Sequence, residues 1–326
     1  MTYKSVPDDA QHLNYFPVTI DHVEKGLEAA TKVKILDFVG GLDMPDYEVP
    51  DTVAALKNLE EIHITGVNNL KLSDAVSRTS ITTLELSQIH SLNTDAISYI
   101  ASLSHLNKLI LEELSEQIDA EVLIQALRKL TYLTLSSINL ENLTPAIAQV
   151  NDLEYLDVSC NFLTTLPQSL GCLNKLQYLD ISVNRLDDFP RQIAELGSLR
   201  TLKYRQLEKG TKAQHKIMQV PSCIDKLINL ERLELDGHRI IDITTNIRKL
   251  KNLKHLSLHG NNLDEFPDAI CHLPRLEYLC ISNNPIDHIP EAIIQLETLK
   301  ELNLLNTAIK EVPKVLLERG VNVLLS

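Results

Sequence analysis

A block of 23 residues recurs along the chain, and no other feature of the sequence restricts the fold as strongly. Four clear copies are LEYLDVSCNFLTTLP from Leu153, LQYLDISVNRLDDFP from Leu176, LKHLSLHGNNLDEFP from Leu253 and LEYLCISNNPIDHIP from Leu276. The frame L-x-x-L-x-L extends to twelve units, which start at Val33, Leu59, Ile81, Leu106, Leu130, Leu153, Leu176, Leu199, Leu230, Leu253, Leu276 and Leu299. Behind Leu130 the spacing is 23 residues except for a gap of 31 between Leu199 and Leu230, which indicates an insertion.

Each unit combines two kinds of local pattern. Leu156 and Val158 alternate with other side chains, which predicts a short strand. Apolar residues then recur at three-residue steps after Pro190, which is typical of a helical or 3₁₀ turn. A single unit buries little apolar surface, whereas stacked units share a continuous core. We therefore expect an α/β solenoid with a parallel sheet on one side and helical turns on the other.

The pattern L-x-x-L-x-L-x-x-N-x-L, followed by L-P-x-x-I, resembles the leucine-rich-repeat family over roughly residues 33–312. The resemblance implies a horseshoe of about twelve repeats, with the parallel sheet on the concave face. It also implies an asparagine ladder, which maps onto Asn161, Asn184, Asn261 and Asn284. Val67, Ile89, Leu114, Ile138, Leu207, His238 and Thr307 occupy the same position elsewhere, so we expect no ordered ladder in the first five units. Residues 95–106 and 119–130 have helical periodicity, so we expect the front half to be the more helical.

We expect both open ends of the stack to be capped. Before Val33, apolar residues from Ile20 to Ala30 form one face of a short helix, which gives an N-terminal helical cap over residues 1–32. The solenoid then spans 33–312, with its insertion near 205–219. Residues 313–326 form the C-terminal cap, a helix from Pro313 that Gly320 ends and a last strand.

Charge and cysteine content narrow the function. The net charge is -13, which disfavours nucleic acid and anionic membranes as partners. Residues 1–152 carry 10 basic and 22 acidic side chains, whereas residues 153–326 carry 21 basic and 22 acidic ones. The net negative charge is therefore concentrated in the first half. The five cysteines include no C-x-x-C, and the N-terminus lacks the apolar stretch of a signal peptide. We therefore expect a cytoplasmic protein, with delivery into a host cell left open.

The sequence carries no phosphate-binding, nucleophile-elbow or H-E-x-x-H motif, so we expect no enzyme and no cofactor. His255 and His259 lie on one side of a strand but about 13 Å apart, too far to share one metal ion. A hydrogen bond between His259 and Asp236, one strand away, is the favoured alternative.

Positions 3, 5 and 7 of each unit alternate with the buried leucines and should point outward from the sheet. Candidate protein-binding residues at these positions are Tyr132, Tyr155, Asp157, Tyr178, Asp180, Lys203, Arg205, Arg232, Glu234, Asp236, His259 and Tyr278. Exposed tyrosines are common at interface centres, yet tyrosine also suits strands without any partner. Asp157 and Asp180 favour a basic or amide-bearing partner or are simply solvated. Residues 200–216, with a local net charge of +5, either steer an acidic partner or form a soluble loop.

Together these features predict a non-catalytic module, monomeric when unbound, that binds another protein on its concave face as an effector or an inhibitor of an enzyme. The repeat type resembles stand-alone effectors of intracellular bacteria and Ras-group scaffolds. A substrate-recognition or scaffold subunit of a signalling or ubiquitin-ligase assembly is the alternative.

Overall fold

The computed structural model describes residues 12–15, 33–40, 44–206 and 217–325. The chain divides into two compact units, residues 1–161 and residues 162–326, and each is described by itself. The predicted N-terminal helix at residues 20–30 and most of the basic insertion, residues 207–216, lie outside the described residues.

The first unit contains a parallel sheet in the order β1-β2-β4-β5-β6-β7-β8, with β3 paired to the end of β4. Its strands are β1, His12–Tyr15; β2, Ile35–Val39; β3, Tyr47–Glu48; β4, Glu61–Lys71; β5, Thr83–Leu92; β6, Lys108–Leu114; β7, Tyr132–Ser136; and β8, Tyr155–Asp157. The register aligns equal positions of the repeat, as in Leu84 opposite Leu109 and Leu109 opposite Leu133. The repeat frame therefore sets the strand register. Strand β1 was not anticipated from the sequence.

The first unit also contains three of the four described α-helices. Its helical segments are η1, Asp51–Ala55; α1, Asp74–Ser77; α2, Ala96–Ala101; α3, Ala120–Ala126; and η2, Pro145–Gln149. The Asp119 side chain accepts hydrogen bonds from the amides of Glu121 and Val122 and so fixes the start of α3. The predicted helical segments 95–106 and 119–130 are confirmed as α2 and α3.

The second unit has shorter strands, in the sheet order β9-β10-β12-β14-β15-β16-β17. These strands are β9, Tyr178–Asp180; β10, Thr201–Lys203; β12, Arg232–Glu234; β14, His255–Ser257; β15, Tyr278–Cys280; β16, Glu301–Asn303; and β17, Asn322–Leu324. A separate two-stranded sheet pairs β11, Gln219–Val220, with β13, Asp242–Ile243. Thr201 pairs with Arg232, 31 residues later, so the insertion leaves the register unchanged.

Helical turns in the second unit are mostly 3₁₀, as the L-P-x-x-I pattern predicts. They are η3, Gln168–Cys172; η4, Arg191–Glu195; η5, Ser222–Lys226; η6, Thr245–Lys249; η7, Asp268–His272; and η8, Glu291–Gln295. Pro190 precedes η4, and its carbonyl accepts a 3.1 Å hydrogen bond from the amide of Ile193. The predicted terminal helix is α4, Lys314–Glu318, and Gly320 follows it with a positive φ of 76°.

The repeated apolar residues form the core in both units. Leu176, Leu179 and Ile181 are completely buried, as are their counterparts Leu253, Leu256 and Leu258. Each buried leucine contributes about 1.5–3 kcal/mol of transfer free energy, so the repeated leucines supply most of the apolar stabilisation. The inward direction of the leucines is confirmed. None of the helices in the described part of the chain has the length and apolar character that a membrane crossing requires.

Asparagine side chains form the predicted ladder. Asn161 Nδ2 donates to the carbonyls of Leu135 and Val158, while Oδ1 accepts from the amides of Ile138 and Leu140. Asn261 and Asn284 make the corresponding bonds.

His238 occupies the ladder position of its repeat, where the sequence pattern has no asparagine, and its side chain still bonds to the neighbouring backbone. His238 Nε2 lies 2.7 Å from the carbonyl of Tyr204, and its Nδ1 accepts from the amide of Ile217 at 3.4 Å. The imidazole of His238 therefore contacts a backbone carbonyl and a backbone amide, as the asparagine side chain does in other repeats.

Candidate functional site

The side chains at positions 3, 5 and 7 of each repeat form a surface that we call the open face. Along β8 the half-exposed Tyr155 and Asp157 alternate with the buried Leu156 and Val158. Position 5 is less exposed than the sequence suggested, since Asp180 and Glu234 are each only 4% exposed. The expectation that these two carboxylates are readily accessible is wrong, because neighbouring long side chains cover them.

A stacked pair of tyrosines occupies the open face of the first unit. The rings of Tyr132 and Tyr155 lie 3.9 Å apart between centroids and 6° from parallel. Lys108 Nζ lies 5.0 Å from the centroid of Tyr132, a cation–π distance. Tyr178 belongs to the second unit, where Lys203 Nζ lies 5.2 Å from its ring.

Three carboxylates missed by the sequence analysis lie on the two strands that precede the tyrosine pair in the sheet: Glu85 on β5 and Glu112 and Glu113 on β6. Burial raises the pKa of Glu112, and the neighbouring charges of Glu113, Asp157 and Glu85 raise it further. Asp157, a predicted site residue, accepts a 2.8 Å hydrogen bond from the amide of Ser159. The excess of acid in the first half of the sequence was the signal that could have indicated this cluster.

The open face of the second unit is organised around Glu234. Arg232 Nε lies 2.5 Å from one of its oxygens, and Arg205 Nε lies 3.4 Å from the other. The His255 ring lies 3.8 Å from the same carboxylate and stacks on Tyr278 at 4.1 Å. Burial lowers the pKa of His255 to about 4, and Arg232 acts in the same direction.

Polar groups on this face are connected to one another. Asp180 accepts from the amide of Ser182, and Lys203 Nζ lies 4.0 Å from its carboxylate. Asp236 accepts from Ser257 Oγ and from the backbone amide of His259, so the predicted contact between Asp236 and His259 is made through the main chain. Burial raises the pKa of Asp236, although its hydrogen bond from Ser257 opposes the shift.

The His259 ring lies 2.6 Å from Ser282 Oγ through Nδ1. Ser282 and the adjacent Cys280 are buried, so neither is an accessible nucleophile. Among the described residues, no three His, Cys, Asp or Glu side chains are placed to hold a metal ion.

A groove of about 1030 Å³ runs along the carboxyl ends of the strands in the first unit. Gly66, Gln88, Glu113, Ser137 and Asn139 line it, and all five have a positive φ. Gly40 at one end of the groove has no room for a side chain, since a Cβ there would lie 1.8 Å from the carbonyl oxygen of Gly66. The sequence analysis did not find this groove, because it depends on left-handed turns at positions occupied by several residue types.

Comparisons with known proteins agree with this architecture. Residues 219–315 match a family described as a leucine-rich repeat region, and residues 128–186 match one described as a leucine rich repeat. No curated protein matches the chain.

Solved structures show the same fold at low sequence identity. An internalin of Listeria monocytogenes strain 4b F2365 is 21% identical, with a TM-score of 0.70, and the match covers 91% of this chain and 82% of the internalin. A leucine-rich-repeat protein of Leptospira interrogans is 22% identical, with a TM-score of 0.63 and coverage of 98% and 93%. The plant peptide hormone receptor RGFR1, in complex with RGF2, is 22% identical, with a TM-score of 0.67 and coverage of 95% and 52%.

Proposed function

The chain is a leucine-rich-repeat protein, and we propose that it is a non-catalytic module that binds a partner protein on the open face of its sheet. The observation that carries the proposal is the stacked pair of Tyr132 and Tyr155. Both residues are half-buried and lie on the open face, outside the leucine core. Tyrosines of this kind are enriched at interface centres because they offer large contact area with a polar tip.

The second unit offers a further set of candidate contacts on its own open face. Arg205 and Arg232 are about half-exposed, and the buried Glu234 fixes both guanidinium groups. Arginines held in this way lose little side-chain entropy when they bind a carboxylate of a partner. We propose that they act with Tyr178, Lys203, Asp236, His259 and Tyr278, while the buried Asp180 helps to position Lys203.

Two further aspects of the proposal concern where and how the module acts. All five cysteines are free thiols, which supports a reducing, cytoplasmic environment. A module that acts by covering a surface of its partner needs no chemistry of its own, which fits an effector or an inhibitor. The plant peptide hormone receptor with a similar fold was solved in complex with RGF2, which supports binding of a partner by a protein of this fold.

The test begins with affinity capture of partners by the tagged protein, followed by calorimetry with the partner that is identified. The double substitution Tyr132→Ala and Tyr155→Ala should weaken binding by about 2 kcal/mol, or about 30-fold in Kd, because the stacked rings lose their contact area. Tyr99→Ala is the matched control, since Tyr99 is half-exposed on helix α2, away from the open face.

Urea unfolding monitors folding of both variants. A double variant that binds its partner as tightly as the wild type contradicts the proposal. A loss of binding on Tyr99→Ala would contradict it equally, because the helical side would then be the binding surface.

A further inference from the structure

Glu85, Glu112 and Glu113 form an acidic cluster in the first unit, in which the charges of Glu85 and Glu113 both act on Glu112. Within the described residues, no Lys, Arg or His nitrogen lies within 4.0 Å of the carboxylates of Glu85, Glu112 or Glu113. By contrast, Glu48 lies 2.6 Å from Lys71 and Glu60 lies 2.8 Å from Lys34. The unit therefore has a cluster of unpaired negative charge on β5 and β6, the strands that precede its tyrosine pair.

A buried hydroxyl lies within this acidic cluster. Ser87 is on the same face of β5 as Glu85, and the strand register places it directly opposite Glu112. It is more than nine-tenths buried, and its Oγ has no hydrogen-bond partner among the described residues. A buried polar atom without a partner costs free energy, so this hydroxyl is available to a group that arrives from outside.

The spacing of the carboxylates excludes a single metal ion and suits separate cations. Glu85 and Glu112 are one strand apart and offset by two residues, which corresponds to about 8 Å between their positions. Among the described residues no three such groups could share one ion. In an extended peptide, alternate side chains on one face are about 7 Å apart, which is close to this spacing.

The groove adjoins the cluster and offers space for a polypeptide. Glu113 and Gln88, the residues that follow Glu112 and Ser87, line the groove directly. Val39 and Met44, both exposed, add apolar surface at its other side. The Tyr132 ring already holds one cation of the protein itself, Lys108 Nζ.

We propose that the first unit binds an extended, basic segment of the partner protein, with Lys or Arg side chains on Glu85 and Glu112 and the backbone passing along the groove. Charge complementarity is the reason for this choice of occupant. The inference rests on the proposed function and adds the chemistry of the partner.

The experiment measures fluorescence anisotropy of a labelled peptide of alternating arginine and serine with the full-length protein. The double substitution Glu85→Gln and Glu112→Gln should weaken binding by at least about tenfold, because both cation contacts are lost. Glu121→Gln with Glu141→Gln is the control; it removes the same two charges from exposed positions away from the open face and should change Kd by less than about twofold. A peptide of alternating glutamate and serine should not bind.

Equal weakening by both double variants would overturn the inference, because only net charge would then matter. Binding of the glutamate peptide would overturn it as well. The partner identified by affinity capture separates this inference from the proposed function. If that partner depends on Tyr132 and Tyr155 but binds the Glu85→Gln, Glu112→Gln variant like the wild type, protein binding stands and the basic segment is wrong.

Discussion

The front repeats of the first unit and the repeats of the second unit satisfy the backbone hydrogen bonds at the end of each strand in different ways. In the first unit β4 has 11 residues and β5 has 10, so the strands continue through position 9 of the repeat, where Val67 pairs with Ile89. In the second unit β14 and β15 have three residues each, and Asn261 and Asn284 provide the missing hydrogen bonds. Buried amides and carbonyls need partners in both cases. A repeat can therefore lose its asparagine where longer strands replace it.

The open faces of the two units differ in a similar way. In the second unit the carboxylate of Glu234 is buried and lies against two arginines. In the first unit Glu85 and Glu112 have no such neighbours among the described residues. Pairing with Glu234 reduces the long-range attraction that the two arginines exert, although their exposed sides can still make short-range contacts, whereas unpaired charge attracts a partner from a distance. The comparison assigns electrostatic attraction mainly to the first unit.

Substitutions at position 9 of the repeat test the first part of this comparison and should give the largest change in the free energy of unfolding. Asn261→Ala should lower the free energy of unfolding by about 3 kcal/mol, because the carbonyls of Leu235 and Leu258 and the amide of Ile240 lose their partner. In the first unit, Ile89→Asn should destabilise by a similar amount, about 3 kcal/mol. The new side-chain amide would be buried without hydrogen-bond partners, because the nearby backbone groups are already paired between strands. Urea unfolding followed by circular dichroism measures both.

Asn262→Ala is the matched control, because Asn262 is exposed next to Asn261 and should change stability little. If Ile89→Asn proves neutral, the strands of the first unit do not replace the ladder, and the comparison fails.

Much of this architecture could be predicted from the sequence, because the leucine frame determines which side chains are buried. The strand register and the ladder at Asn161 and Asn261 follow from that frame. The role of His238 could not be predicted, because it depends on the positions of the Tyr204 carbonyl and the Ile217 amide. Such contacts are set by tertiary geometry rather than by local pattern.

The candidate site was predictable only in part. Alternation placed Tyr132, Tyr155 and Glu234 on the correct face of their strands. It could not predict that Glu234 would be buried, because burial depends on the lengths of the side chains on adjacent strands. The groove depends on left-handed residues such as Gln88 and Glu113, which have no preference for that conformation.

Neutralising one carboxylate on each open face should change stability in opposite directions. Glu234→Gln should destabilise the second unit by about 2 kcal/mol, less than for a fully buried ion pair because Arg205 and Arg232 are half-exposed. Glu112→Gln should instead stabilise the first unit by up to about 0.5 kcal/mol, because it removes the desolvation cost of the charged carboxylate and its repulsion from Glu113, Asp157 and Glu85 at a largely exposed position. The midpoint of urea unfolding at neutral pH measures both changes.

Added salt provides the control for this pair. Salt should reduce the stabilisation caused by Glu112→Gln, because it screens exposed charges. It should change the destabilisation caused by Glu234→Gln less, because Glu234 is buried. Destabilisation by both substitutions would mean that the carboxylates of the first unit are also structural, which would remove the contrast between the two faces.

A feature that the two units share gives predicted effects of no more than about 1 kcal/mol and shows how far the difference between the units extends. Position 8 of the repeat is left-handed in both, with φ of 54° at Ser137 and 53° at Val183. A β-branched side chain is strained in that region, whereas asparagine tolerates it. Val183→Asn should therefore stabilise by about 0.5–1 kcal/mol, and Ser137→Val should destabilise by about 1 kcal/mol, as measured by urea unfolding. A common backbone conformation requires the same residue preference in each unit. If only one of the two substitutions has its expected effect, the units therefore differ in their turns as well as in their strands.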